Sequence, residues 1–292
     1  MTVVKESAGR QVLKITPIKT HIGAEISGVD LTKPVDGATR QALYDAVVDH
    51  VAVVIKDQRL TPATFAAAAE LFGELMPDQI KSNLADGVPM VSILDNHEKD
   101  SAGGQAKAPK NATWHTDHTN KERPPKFTFL YAVAIPSKGG GTSVVNMRAA
   151  YEALPAARQA ELAGLQTANQ RISSARLAFA NPDVLAEQER LKEPLVTHPL
   201  VRTHPDRGTK AIWFHTGKTE TVTGMDPFET QDFLKGLLDE SVRDHFAYVH
   251  EWTLGDLLIV DNRSAMHKAG ADYDMAEHRK LYRTMVRGDR PY

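Results

Sequence analysis

The sequence predicts a mainly β fold with flanking helices, its core a double-stranded β-helix or jelly roll. Three observations carry this: short strand-like runs recur along the whole chain, few of them alternate with helices in the βαβ manner of a parallel sheet, and the helical patterns fall between or outside them. A helix is expected over 39–50, running straight into the strand "VAVVI" at 51–55. A second helix, 61–72, carries an alanine run and is followed by a strand at 88–94. Strands at 127–135 and 142–146 flank the glycine triplet Gly139-Gly140-Gly141, and a helix is expected from 147 to 167. Strands at 195–203 and 210–214 are separated by Pro205-Asp206-Arg207-Gly208, which reads as a hairpin turn. Asp226 before Pro227 is an N-cap followed by a first-turn proline, opening a helix over 227–240. Strands at 246–252, 256–260 and 281–286 complete the set.

The chain has 292 residues, enough to bury roughly three quarters of its unfolded surface without covalent staples. We expect a single domain over 1–292. With 35 basic against 37 acidic residues and a net charge of -2, no overall field favours nucleic acid or an anionic membrane. The expected partner is a small molecule. No cysteine is present, so disulfides and thiolate metal sites are excluded, and His, Asp and Glu remain as the strong side-chain ligands. The N-terminal stretch has scattered charges and no apolar core of signal-peptide length, and the apolar runs are too short to span a bilayer. A soluble, cytoplasmic protein is the expectation. Segment 95–113 is polar and rich in Gly, Ala and Lys, which predicts a mobile lid loop; a polar insertion is expected at about 170–195.

The lid would border "NATWHTDHTN" at 111–120. If 113–120 enters a strand, residues two apart share a face, so His115 and Asp117 converge while His118 points away. They would be two ligands of a 2-His-1-carboxylate facial triad, the arrangement that holds non-heme Fe(II) with open positions. A tripeptide alone is weak evidence, because His204-Pro-Asp206 repeats the spacing within the hairpin turn and reads as structural. Further along, "GDLLIVDNRSAMHKAG" leads a buried strand into polar residues and then His267, the candidate third ligand. Arg279 and Arg283 are four apart, so in an extended strand both face one side, where a guanidinium can grip a carboxylate with two hydrogen bonds.

With these residues, "GAEISGVDL", "LFGEL", "WHTD", "GGGTSVVNMRAAYEALP", "HPLVRTHP", "GDLLIVDNR" and the closing "HRKLYR" and "GDRPY", the chain resembles the TauD/TfdA family of Fe(II)/2-oxoglutarate-dependent dioxygenases over nearly its whole length. The resemblance implies that His115, Asp117 and His267 bind Fe(II). It implies that Thr142 and Arg279 hold the distal carboxylate of 2-oxoglutarate, and that Arg283 meets an acidic substrate group or the cosubstrate. Asn111 matches a pocket asparagine, and Lys218 falls where the family turns a pocket residue inward. Lys218 is read either as a cation for an anionic substrate or as a solvent-facing loop lysine, and His118 as hydrogen-bonded away from the metal or touching substrate. Arg171 and Arg176 are further candidates. One departure is an extra residue between His267 and the arginines.

The implied reaction couples decarboxylation of 2-oxoglutarate to succinate and CO2 with oxidation of an unactivated C–H bond. Three protein ligands leave two positions for the keto acid and one for O2. Asp117 favours hydroxylation, since related halogenases replace this carboxylate with a small residue. Taurine is not the expected substrate, because "LFGELMPDQIKSN" lacks the histidine that taurine binding draws on in the family. A homo-oligomer, dimer or tetramer, is implied by family habit. Two rival readings are a metal-dependent hydrolase, in which Zn2+ on the same residues activates water, and a non-catalytic small-ligand jelly roll. The hydrolase would act without keto acid, and the binding module would tolerate His115→Ala.

Overall fold

The structure is a computed structural model, described over residues 13–77, 83–97, 112–180, 182–191 and 193–292. Among these residues a nine-stranded sheet runs in the spatial order Lys14–Pro17, Ala24–Ser27, Ala52–Ile55, Leu257–Asp261, Pro125–Ala134, Lys280–Arg287, Val88–Asp95, Leu84–Ala85, with Leu75–Met76 also paired to Lys280–Arg287. All these pairs are antiparallel except Ala24–Ser27 with Ala52–Ile55. Facing it is a smaller antiparallel sheet, Ala247–His250, Thr142–Asn146, Ala265–Ala269. These are the two layers of the jelly roll.

Strand parity decides what lies between them. In Leu257–Asp261, Leu257 and Ile259 join the outer cluster with Phe127, Phe129 and Tyr131, whereas Leu258 and Val260 join the inner one with Leu130, Ala132, Val144, Ala265 and Leu281. Thr128 and Arg283 share the inner parity on the large sheet. On the small sheet, His267 is directly opposite the inward-facing Val144. The polar residues that matter most therefore point into the space between the sheets.

The outer faces are covered by helices. Gly37–His50 is capped by Asp36, whose side chain accepts from the Thr39 N–H, and Pro62–Glu70 by a Thr61 capping box with Pro62 in its first turn. Both pack on the large sheet. Pro227–Ser241 begins with the expected Asp226 cap and covers the small sheet, where Leu234 and Leu237 meet Val145, Met147 and Met266. No helix of the described residues is long and apolar enough to cross a membrane.

Two of the expected elements break at a proline. The helix expected over 147–167 is two helices, Met147–Glu152 and Ala156–Ala163, followed by a strand, Gln166–Asn169. Pro155 has no N–H to continue the first helix and becomes the N-cap of the second. The strand expected over 195–203 breaks into Val196–Pro199 and Val201–Thr203, which pair with different partners, because Pro199 cannot donate to a ladder. Leu200 bridges the two: its N–H reaches the Leu165 carbonyl and its own carbonyl takes the Trp213 N–H. The expected insertion carries two helices, Ser174–Leu177 and Pro182–Arg190. The hairpin turn is as read. His204 Nε2 lies 2.9 Å from Asp261, and Asp206 accepts from the Tyr44 hydroxyl and Arg263, so this His-x-Asp serves the scaffold.

The glycine triplet has a steric cause. Gly139 adopts φ +73°, and a Cβ there would lie 2.3 Å from the Asp272 carbonyl oxygen. Gly139→Ala is therefore expected to destabilise the fold by about 2 kcal/mol or more. A denaturation midpoint lowered at constant m-value is the check.

Candidate active site

His115 is joined to the jelly roll by main-chain pairing alone. Its N–H donates to the His267 carbonyl at 3.0 Å and its carbonyl accepts from the His267 N–H at 2.8 Å, and an isolated bridge ties it to His215 on the other side. Residues 113–120 do not enter a strand, so the condition for their alternation is not met. After His115 the chain turns through Asp117 to Asn120, with His118 in the left-handed region at φ 51°. Four residues with polar side chains that compete for main-chain hydrogen bonds favour such a turn over a ladder. Strand alternation thus does not govern His118, whose buried ring lies near Asp117.

Convergence is achieved all the same. His115 Nε2 is 3.9 Å from Asp117 Oδ1, His267 Nε2 is 3.7 Å from Asp117 Oδ2, and one possible ligand atom from each residue lies within 4.8 Å of the others. All three are buried. His115 Nδ1 sits 2.7 Å from the Thr113 carbonyl, which can only accept, so the proton is on Nδ1 and the Nε2 lone pair faces the cluster. Burial, reinforced by the neighbouring His115 ring, pushes His267 down to about 3. His115 is lowered chiefly by burial. Burial would raise Asp117, but Arg283 first and the histidines after it hold its carboxyl well below the usual range. Two neutral imidazoles and one carboxylate form a donor set that suits a divalent cation.

The arginines divide the surroundings. Arg283 donates from Nη2 to Asp117 Oδ1 at 2.6 Å. Arg279 lies just before the strand Lys280–Arg287, and Leu281 between the two arginines packs into the inner cluster. Its Nε donates to the Gly140 carbonyl at 2.7 Å and its main-chain N–H to Asn96 Oδ1 at 2.7 Å. Arg279 is 6% exposed and forms no ion pair among the described residues, while the Asp272 carboxylate acts on it from beyond contact distance. Burial lowers its pKa. Two residues beyond Gly140, Thr142 is buried, and its Oγ1 accepts from Trp252 Nε1 at 3.1 Å. The hydroxyl proton is then left to donate elsewhere.

The turn at His215 to Lys218 and the insertion bonded to it carry a second group of cations. Lys218 Nζ donates to Asn120 Oδ1 at 2.9 Å, and the side chain is half-buried, so the solvent-facing reading is corrected. Burial brings it down to about 8, with Asp117, Arg283 and Arg171 among the charges acting on it. The insertion is bonded to this turn through the Gln170 and Ser173 N–H groups. That brings Arg171, whose Nε is buried without a hydrogen-bond partner among the described residues, and Arg176, which packs on Gly217 where a Cβ would lie 2.3 Å from its Nη1. His215, Asn120, Thr128 and Asn262 escaped the sequence reading. His215 had a visible signal, its place in "HTGK" beside Lys218. Asn111 and most of the proposed lid, 98–111, lie outside the described residues.

A jelly roll holding two neutral histidines and a carboxylate between its sheets has the donor set of a metal-dependent enzyme. The chain belongs to the TauD/TfdA family: the model described as "Taurine catabolism dioxygenase TauD, TfdA family" matches residues 14–285. It is 30% identical over 283 residues to an alpha-ketoglutarate-dependent 2,4-dichlorophenoxyacetate dioxygenase of Cupriavidus pinatubonensis, covering 94% of this chain and 97% of that protein. It is 31% identical to an alpha-ketoglutarate-dependent sulfate ester dioxygenase of Pseudomonas putida, covering 96% and 91%. Its fold matches a crystal structure of AAD-2 in complex with Mn(II) and N-oxalylglycine with a TM-score of 0.79 at 27% identity, covering 96% and 99%. The protein is thus an Fe(II)- and 2-oxoglutarate-dependent dioxygenase acting on a small molecule.

Proposed function

We propose that the chain, working as one domain over 1–292, hydroxylates an unactivated C–H bond of a small anionic organic molecule while 2-oxoglutarate is converted to succinate and CO2. The observation that carries this is the meeting of His115, Asp117 and His267 in one buried cluster, in a protein whose Arg279 is buried and in no ion pair among the described residues. The metal-dependent hydrolase gives Arg279 no task, and a binding module gives the triad none.

His115, Asp117 and His267 would hold Fe(II), which when bound supplies the O2 activation that couples keto acid decarboxylation to C–H oxidation. Everything else falls to the chain. Arg279 neutralises the distal carboxylate of 2-oxoglutarate, and the Thr142 hydroxyl, fixed by Trp252, donates its proton to the same group. Lys218, Arg171 and Arg176 form the cationic wall for the substrate's anionic group, with Arg283 between that wall and Asp117. His118 borders the same space. The relatives that act on phenoxyacetates and sulfate esters support an anion at this wall. The absence of cysteine agrees with a cytoplasmic setting, and a homo-oligomeric state follows family habit.

Succinate release with Fe(II) and 2-oxoglutarate, measured against a panel of aryloxyalkanoates, alkyl sulfates and neutral isosteres, tests the proposal. Stimulation by an anionic member and not by its isostere supports it; product formed without 2-oxoglutarate overturns it. The wall also sets a pH limb. Because burial lowers Lys218 to about 8, its positive charge is present below that pH and lost above it. For the active anion, kcat/KM should fall as pH rises through about 8, and Lys218→Met should remove that limb while lowering the plateau.

A further inference from the structure

We propose that Asn262 and Thr128 are positioning residues of the triad: a one-way hydrogen-bond relay from the Asn262 amide through the Thr128 hydroxyl aims the Asp117 carboxylate at the metal. The inference rests on the reading that His115, Asp117 and His267 hold a metal ion.

The geometry starts from a short contact. Thr128 Oγ1 lies 2.5 Å from Asp117 Oδ2, and Asn262 Nδ2 lies 2.8 Å from the same Thr128 oxygen. An ionised carboxylate can only accept, so the single threonine proton must lie between Thr128 and Asp117. The threonine oxygen can then only accept from Asn262, which fixes the amide with its NH2 towards Thr128. Each donor has one direction available, and Asp117 is its end.

Asn262 is itself immobilised. Its N–H donates to the Lys126 carbonyl at 2.9 Å, and its own carbonyl accepts at 2.9 Å from both Thr116 Oγ1 and Trp213 Nε1. Thr116 is the residue between His115 and Asp117. One asparagine therefore anchors the turn that carries two ligands, through its main chain, and orients the carboxylate of one of them, through its side chain. Thr128 and Asn262 have no exposed surface, so water does not compete for these bonds. Arg283, on the neighbouring strand of the same sheet, holds the other carboxylate oxygen at 2.6 Å. The carboxylate is clamped at both oxygens, and each oxygen keeps a lone pair for an ion.

The relay is tested in metal-free protein by Mn(II) titration, which needs neither substrate nor turnover. Thr128→Val, close in shape to the parent, should weaken Mn(II) binding by about 10- to 100-fold, the usual cost of an outer-shell partner. Thr128→Ser, which keeps the hydroxyl, should restore binding to within a fewfold of the parent. Asn262→Asp replaces the amide donor with an acceptor that draws the threonine proton away from Asp117, and should weaken Mn(II) binding as Thr128→Val does. Melting of each metal-free variant reports scaffold damage separately. A lowered melting temperature with Mn(II) affinity unchanged in Thr128→Val or in Asn262→Asp would overturn the relay and leave these side chains a purely structural role. If Thr128→Val does not fold, the Ser and Asp variants decide. Failure of the parent protein to bind Mn(II) would overturn the triad reading itself, a distinguishable result.

Discussion

His267→Ala is expected to lower 2-oxoglutarate turnover by roughly a thousandfold or more, which is on the order of 4 kcal/mol of barrier. The metal-free protein is expected to keep its stability near neutral pH. The reason is an imbalance in what His267 contributes. Its Nδ1 is buried without a hydrogen-bond partner among the described residues, and its ring stands 4.4 Å from that of His115. A cavity left by the ring costs stability, while relief of an unsatisfied buried polar atom returns about 1–3 kcal/mol. Acid makes the difference visible. Folding lowers this histidine from 6.5 to about 3, chiefly by burial, so between those values the unfolded chain binds a proton that the folded chain refuses. Metal-free stability should therefore fall as pH drops through that window, and His267→Ala should flatten part of the fall. Urea midpoints at pH 7 and pH 5 measure it.

Arg279→Ala is expected to raise the KM for 2-oxoglutarate by roughly 30-fold or more, as truncating one partner of a buried charge pair costs about 2–5 kcal/mol. Arg279→Lys should rescue little. The guanidinium uses Nε on the Gly140 carbonyl and presents its terminal nitrogens as a fork, a division of labour that one ammonium cannot reproduce. Gly140 is shaped to this group: at φ +68°, a Cβ there would lie 3.2 Å from Arg279 Nε. Steady-state kinetics with varied 2-oxoglutarate, and with substrate and Fe(II) held saturating, separate the KM effect from any change in kcat. An unchanged KM would remove Arg279 from cosubstrate binding.

Much of the fold was legible because the jelly roll writes itself locally. Runs such as "FTFLYAVA" and "DLLIV" are strand-like whatever their partners, and Asp226-Pro227 marks its helix unaided. The strand that bears His267 was not legible. "AMHKA" contains no β-branched residue, and only pairing with Thr142–Asn146 makes it extended. The triad residues were found by type and by resemblance, whereas alternation would have put His115 and Asp117 in a strand that the chain does not form. Thr128 shows the deeper limit. It reads as one more β-branched residue in a buried run, and its role depends on Asp117 and Asn262 being brought to the same inner face by register across three segments. Lys218 and Arg171 meet for a similar reason, through main-chain bonds between the insertion and the turn after His215.

The account's centre is a single metal site built from three distant side chains, and anaerobic Fe(II) titration of the metal-free protein with saturating 2-oxoglutarate tests it most directly. One ion per chain is predicted for the parent, with tight binding lost in His115→Ala, Asp117→Ala and His267→Ala alike. Undiminished binding in any one of these variants, or no binding in the parent, would contradict it.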